Sequence, residues 1–407
     1  MSRHRRWAVA LALAFGAPAF AQVVASEAAP LRWADVAAAI ERDPRVAASR
    51  SRVRSAEGGV GVARTPPNPE VEATAGRAVA REGPDRRNEW GLAISIPLDW
   101  LARRGPEVDA ARATVDEVAA EAEGLRVEVS AELWRLFARA GYARSEVETL
   151  EATEQQVEAL TRLVRRRVEA GEGRPIEVPR VELELERVRN ELAAARANRD
   201  GALAQLGAWL GVPVRRVELP AAPVAMDVAE VPSDLAQHPR IRAALARASA
   251  ARAEASVARR SRIPAFSIGG FYASELDREA VGGRLAIELP LWDWKTGRVQ
   301  RAEAAAAAEA SRADAERRAL GAAIADATAS CGRARDVADR QKANILPRAE
   351  ESALTLERTF QRDEAGILDV IDARRVLLDA RREFLSSARE RDVECGALIL
   401  LSGRELP

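Results

Sequence analysis

Four short runs along the chain alternate with a period of two. In Glu89–Leu98 the even positions are Trp90, Leu92, Ile94, Ile96 and Leu98, and the odd ones are Glu89, Gly91, Ala93, Ser95 and Pro97. In Val281–Leu291 the apolar set is Val281, Leu285, Ile287, Leu289 and Leu291, set against Arg284, Ala286, Glu288 and Pro290. Pro264–Ser274 alternates less cleanly, with Phe266, Ile268 and Tyr272 on one side. Glu70–Val79 is weakest, because Arg77 falls on its apolar face. A strand turns successive side chains to opposite faces, so each run predicts a strand with one apolar side. The strands are expected at 69–80, 88–98, 264–274 and 281–291, as two hairpins with polar loops at Arg81–Arg87 and Glu275–Glu279. About ten residues is the length that crosses a bilayer at a tilt. A soluble hairpin with one wet face has the same alternation. Trp100, Trp292 and Trp294 follow the strand ends, where they suit either an aromatic girdle at a membrane boundary or a core at the strand–helix elbow.

The remaining chain is long, alanine-rich and helical in pattern, and it repeats. Asp43-Pro44-Arg45-Val46 returns as His238-Pro239-Arg240-Ile241, Asn68-Pro69 as Ile263-Pro264, and Ile96-Pro97-Leu98 as Leu289-Pro290-Leu291. A long helix then leads to Gly171 or Gly173 in one half and to Gly366 in the other. One supersecondary unit is used twice, which divides the chain into 22–232 and 233–407 after a leader at 1–21. From Gly105 to Gly171 a helix spans about 99 Å, and from Gly297 to Gly366 about 104 Å. The shorter stretches Pro175–Leu210 and Ser233–Arg262 together give about 99 Å. Ile367–Gly403 and Trp33–Arg64 together give about 103 Å. Each long helix can therefore be matched by two short ones stacked end to end. Pro347 interrupts the second long helix and should kink it, since proline removes a backbone donor.

Composition narrows the function. Arg3-His4-Arg5-Arg6, the apolar Trp7–Phe15 and Ala19-Phe20-Ala21 read as a secretory leader cleaved before Gln22. No later stretch of about 20 apolar residues exists to form a membrane helix. Lys+Arg and Asp+Glu are both 62, and losing the leader's arginines tips the balance slightly acidic, which gives no support to a nucleic-acid partner. Aromatic residues are 4% and charged residues 30%, which suits long helices packed closely side by side. After the leader the chain has one histidine, His238, and two cysteines, Cys331 and Cys395. No metal site, cofactor motif or catalytic constellation is read from it, and an enzyme is not expected.

Leader, duplicated helix–hairpin–helix halves, strand-ending prolines and tip glycines together resemble the TolC family of outer-membrane efflux proteins. The nearest local matches are Leu289–Gly297, which leans to the heavy-metal efflux branch, and Glu364–Ala373. The resemblance implies a mainly α fold with a membrane β-hairpin region, built as a homotrimer. Three chains would make a 12-stranded β-barrel in outer-membrane lipid, continued by a long α-helical periplasmic tunnel. It further implies a passive exit duct of a tripartite efflux system, working with a periplasmic adaptor protein and an inner-membrane pump. The cargo would be small molecules or metal ions.

Family members narrow at the hairpin tips, which places adaptor contacts at Gly171, Gly173 and Gly366. Asp369 and Asp372 match the acidic residues found there, and i,i+3 spacing puts them on one helix face. Threefold symmetry would stack them into rings that select cations; pairing with Arg374 and Arg375 on a solvated face is the competing reading. Glu177 and Arg180, at the matching place in the first half, form a mixed pair expected outside the ring. The tyrosine of the best-known gate is missing, so the candidate gate tether is Arg362, Asp363 or the run Arg165-Arg166-Arg167. Cys331 and Cys395 lie about equally far from the turn near 363, so antiparallel helices would bring them to one height as a candidate disulfide. The alternative function is a soluble periplasmic coiled-coil adaptor or scaffold, which leaves the four alternating strands unexplained.

Overall fold

The structure, a computed structural model, describes residues 29–79, 86–221, 224, 235–275, 278–289, 291–404 and 406. The leader and most of the Arg81–Arg87 loop lie outside the described residues, as does Pro290. The elements run α1 (Trp33–Ile40), α2 (Pro44–Arg64), β1 (Glu70–Val79), β2 (Arg86–Pro97), α3 (Trp100–Glu169), α4 (Glu177–Leu210), α5 (Pro239–Arg260), β3 (Phe266–Ser274), β4 (Glu279–Ile287), α6 (Thr296–Arg340), α7 (Leu346–Gln361) and α8 (Ile367–Leu401).

The strands form one antiparallel sheet in the order β1-β2-β3-β4. The register sets Trp90 opposite Ala75 and Ser274, Leu92 opposite Ala73 and Tyr272, and Ile268 opposite Ile96 and Leu285. One face therefore carries Val71, Trp90, Leu92, Ile94, Ile96, Phe266, Ile268, Val281, Leu285 and Ile287, all exposed in the single chain. Arg77 does fall on that face, but opposite Asn88 near the hairpin end, where its long stem can carry the charge to a polar layer. The other face is mostly small, with Gly91, Ala93 and Gly269, and Gly282 leaves room for the one large ring there, Phe271. Over this low floor Arg284 of β4 reaches Glu72 of β1 at 3.2 Å. The last strand ends at Ile287, four residues before the expected end, and Leu289 and Leu291 lie exposed beyond it.

The helices α2, α3, α5 and α6 continue the sheet in the same lateral order, and α4, α3, α8 and α7 continue them further. α3 has 70 residues, about 105 Å, and runs through both layers. The expected end-to-end stacking is present with different partners: α2 and α4 share one flank of α3, and α5 and α8 share the other. The expected single stretch Trp33–Arg64 is broken into α1 and α2 at Asp43, because a residue before proline is pushed out of helical backbone. Pro44 and Pro239 each take the first helical position, where no N–H is needed. The Asp43 carboxylate caps one helix through Arg45 N at 2.7 Å. His238 Nδ1 caps the other through Arg240 N at 3.2 Å. His238 Nε2 lies 3.1 Å from the Leu401 carbonyl, so both contacts are satisfied by the neutral ring, and burial lowers its pKa.

Both helix-interior prolines are accommodated. Before Pro347 the backbone widens into a π turn at Gln341–Ile345, the usual way a helix absorbs such a disruption. Pro106 lies inside α3 and cannot donate to the Ala102 carbonyl; the Arg260 guanidinium donates to it instead, at 3.0 Å.

The main core lies where the two helical layers meet. Trp33, Trp134 and Phe137 pack ring to ring. Trp134 Nε1 donates to the Asp392 carbonyl at 2.8 Å, and Tyr142 donates to the Asp392 carboxylate at 2.6 Å. Burial and that carboxylate together raise the Tyr142 pKa. Cys331 of α6 and Cys395 of α8 meet beside this core, joined in the structure with Cα atoms 4.7 Å apart. Gly396 lets the indole in: a Cβ there would stand 2.2 Å from Trp134 Nε1. Gly396→Ala should therefore destabilise the fold by about 1–3 kcal/mol, typical of overpacking in a tight core. The thermal midpoint of the solubilised protein would show it as a fall, against an equal or higher midpoint for Gly332→Ala, which meets open space inside α6 and removes a helix-interior glycine.

Candidate constriction at the helix-hairpin tips

At the end farthest from the sheet, α3 turns into α4 and α7 turns into α8. Both long helices stop in the same way. Gly171 has φ +77°, Glu172 N donates to Arg167 O at 2.9 Å, and Gly171 N to Val168 O at 3.1 Å. In the other hairpin Asp363 has φ +63°, Glu364 N donates to Thr359 O at 3.0 Å, and Asp363 N to Phe360 O at 3.2 Å. This pattern closes the last carbonyls of a helix through one left-handed residue. The counterpart of Gly171 is thus Asp363, and Gly366 is not the turning residue. Gly366 has φ −82° and ψ 157° and starts α8. Gly173 is needed for closeness: a Cβ there would lie 3.0 Å from Val168 Cγ2.

The two hairpins are tied by Arg167. Its guanidinium pairs with the Asp363 carboxylate, donates to the Phe360 carbonyl at 3.1 Å and stacks on the Phe360 ring 5.0 Å away. Of the tether candidates, the structure engages Asp363 and Arg167. Arg362 is exposed, with no side-chain partner among the described residues. Arg165 pairs with Glu182 across its own hairpin at 2.5 Å, and Arg166 reaches back to the Arg162 carbonyl at 3.4 Å.

Asp369 and Asp372 are both exposed on one side of α8, beside Leu368 and Val376. Their surroundings differ. The Asp369 carboxylate accepts from Gly366 N at 2.9 Å and so caps its own helix. Asp372 is 72% exposed and 3.9 Å from Arg375. Of the two, only Asp372 keeps a contact with a following arginine, the long one to Arg375, and the closer partners of those arginines lie on other helices. Arg375 grips the buried Glu184 of α4 at 2.5 Å, and Arg374 takes Glu357 of α7 at 2.7 Å. In the first hairpin Arg180 is exposed, and Glu177 is partly covered beside Gly173.

The family model for outer membrane efflux proteins matches residues 36–212 and again 231–404. The chain belongs to the outer membrane efflux protein family. Solved structures agree on the fold. The chain superposes on CusC with a TM-score of 0.78 at 17% identity, covering 92% of each chain. For VceC of Vibrio cholerae the TM-score is 0.75 at 20% identity, over 91% of this chain and 96% of that one. For the open state of MtrE of Neisseria gonorrhoeae it is 0.75 at 19%, over 90% and 87%. No curated protein matches the chain by sequence. The protein is an outer-membrane channel of the tripartite efflux type, with its helices extending into the periplasm.

Sequence reading missed two features of this channel's tip. The sequence places Asp363 near the turn but not as its left-handed residue, because aspartate takes that position far less often than a glycine such as Gly366. Glu184, which anchors Arg375, sits in a charged run that reads as solvated surface.

The left-handed backbone and the Arg167 pair can be separated by mutation. Asp363→Ala removes the carboxylate and also adds backbone strain, whereas Asp363→Gly removes only the carboxylate. The alanine variant should be less stable than the glycine variant by about 1 kcal/mol, measured by thermal or denaturant unfolding. Equal stabilities would show that the turn carries no strain.

Proposed function

We propose that the channel is a homotrimer whose three sheets close one 12-stranded barrel in outer-membrane lipid and whose helices line a tunnel about 100 Å long. One observation carries this reading: a four-stranded sheet with an apolar face whose outer strands, β1 and β4, pair on one side only among the described residues. Unpaired backbone cannot stand in hydrocarbon, so other copies must supply the missing neighbours. The helical layer has the same open ends, α2 and α6. Near the tips Leu183, Leu354, Leu368 and Val376 are exposed in the single chain and suit burial against a second copy.

The duct is passive and has no catalytic residues. Residues 22–232 and 233–407 are the two repeats, and 1–21 is the leader. The energy comes from an inner-membrane pump, and a periplasmic adaptor grips the hairpin tips around Gly171, Gly173 and Gly366. Asp369 and Asp372 ring the narrowest point. The Arg167–Asp363 tie holds one hairpin against the other and must slacken or move as a unit for the tips to part. The Cys331–Cys395 bond, formed in an oxidising periplasm, pins α6 to α8 above the moving part. The cargo is small molecules or metal ions.

Native mass spectrometry of the detergent-extracted protein tests the assembly. A mass of three mature chains, each lighter by two hydrogens for the closed Cys331–Cys395 bond, is expected. A monomer in mild detergent would sink the barrel, and a soluble protein released by salt alone would favour the scaffold reading.

Single-channel recording tests the tip. Asp369→Asn with Asp372→Asn should lower cation preference and weaken block by divalent ions several-fold, because rings of carboxylates concentrate cations. Asp372→Asn alone should carry most of the change, since Asp369 is engaged with its own backbone. Unaltered selectivity in the double variant would remove both residues from the constriction.

A further inference from the structure

The four places where a strand meets a helix share a feature that the duct does not use. These crossings are 65–69 between α2 and β1, 98–99 between β2 and α3, 261–265 between α5 and β3, and 288–295 between β4 and α6. Each has an arginine, inside it or about one helical turn away, that is exposed and has no acidic partner among the described residues: Arg64, Arg104, Arg262 and Arg298. Of the acids nearby, Glu70 at the start of β1 stands exposed, and most of the others are engaged. Asp99 pairs with Arg103 at 2.5 Å, Glu303 with Arg259 at 2.8 Å, and Asp293 accepts from Lys295 N at 2.8 Å. Glu288, the remaining acid in the last crossing, continues the small-residue face of β4 with Arg284 and Ala286. The crossings are left with an excess of positive charge.

The same level is unusually apolar. Trp292 is 91% exposed and Trp294 63%, so within the chain neither is buried in a core at the elbow. Leu289, Leu291, Leu101 and Ile263 are exposed beside them. Arg104 stands over the Trp100 ring at 5.5 Å. These residues continue the apolar face of the sheet directly into the arginine layer. An indole and an arginine side by side at the edge of an apolar band match the layering of a bilayer: acyl chain, glycerol, then phosphate.

We propose that this belt binds anionic phospholipid headgroups of the periplasmic leaflet of the outer membrane. The tryptophans sit at the glycerol level, and Arg64, Arg104, Arg262 and Arg298 take the phosphates below it. Arginine suits this role because its planar fork meets phosphate oxygens in pairs, and anionic lipid attracts clustered basic residues close to its surface. The belt fixes the height of the channel in the membrane, so that the tips stay at a set distance below it. This rests on the barrel reading, and the following test separates the two.

The full-length channel is reconstituted in vesicles of equal phosphatidylethanolamine and phosphatidylglycerol, with brominated acyl chains on one lipid or on the other, and tryptophan emission is read. Brominated phosphatidylglycerol should quench at least twofold more than brominated phosphatidylethanolamine. High salt should abolish the difference, and so should the combined Arg104→Gln, Arg262→Gln and Arg298→Gln variant, while its single-channel conductance stays as in the parent. Equal quenching by the two lipids in the parent protein overturns the belt, as does a preference that survives in the triple variant. Inserted protein quenched by neither lipid also overturns it, because a neighbouring copy then covers the tryptophans. Protein that a salt wash strips from the vesicles instead overturns the barrel.

Discussion

A strand edge in hydrocarbon has nothing to pair with, and an unmet peptide group there costs several kcal/mol. That cost governs the rest of this molecule. The sheet of one chain has an apolar face and, among the described residues, two outer strands that pair on one side only, and the proposed barrel is the arrangement that meets this cost. Its helices repeat the arrangement, with α2 and α6 left as outer members of the layer. The small residues also follow from it. A wall one helix thick has no interior to fill with large rings, which is why aromatics are only 4% of the chain. Those buried in the helices centre on Trp33, Trp134 and Phe137, where the layers meet and a true core exists, and most of the others lie on the sheet and at the strand–helix crossings.

Between neighbouring helices a charge rule takes the place of a thick core. The short helices supply arginine and the long ones glutamate. Arg45 reaches Glu132, Arg189 reaches Glu154 and Glu158, and Arg247 reaches Glu117 and Glu121. Arg259 reaches Glu303, and Arg382 reaches Glu146. Pairs this exposed add little stability. Their number along each seam fixes register instead, because sliding a helix by one turn would break many pairs together. The tip inverts the rule. There the long helix α3 supplies the arginines, Arg165 to Glu182 along its own seam and Arg167 to Asp363 across to the other hairpin.

Much of this was legible in the chain. The period-two runs located all four strands, because a lipid-facing side must be apolar at every second residue, and the glycines and prolines punctuated the helices. The stacking partners were not legible for a simple reason. α2 and α5 have 21 and 22 residues, and α4 and α8 have 34 and 35. Either assignment sums to the same length, so arithmetic alone cannot choose between them. The end of β4 was overread because Leu289 and Leu291 keep the alternation going after the hydrogen bonding stops.

The tip shows most clearly where sequence reasoning ends. Asp369 and Asp372 look equivalent in sequence, one helical turn apart on one face. In the structure one carboxylate caps its own helix and the other stands in solvent. The distinction arises because α8 begins at Gly366, and that start is fixed three residues earlier, where Asp363 closes α7. A residue whose backbone ends one helix thus decides which acid of the next is left free. The same residue holds Arg167, so the shape of the turn, the tie between hairpins and the exposed charge are coupled at one position. In the proposed opening, a motion that keeps Asp363 in its left-handed turn would carry the second hairpin with its carboxylates intact, and the load would fall on the Arg167 contact.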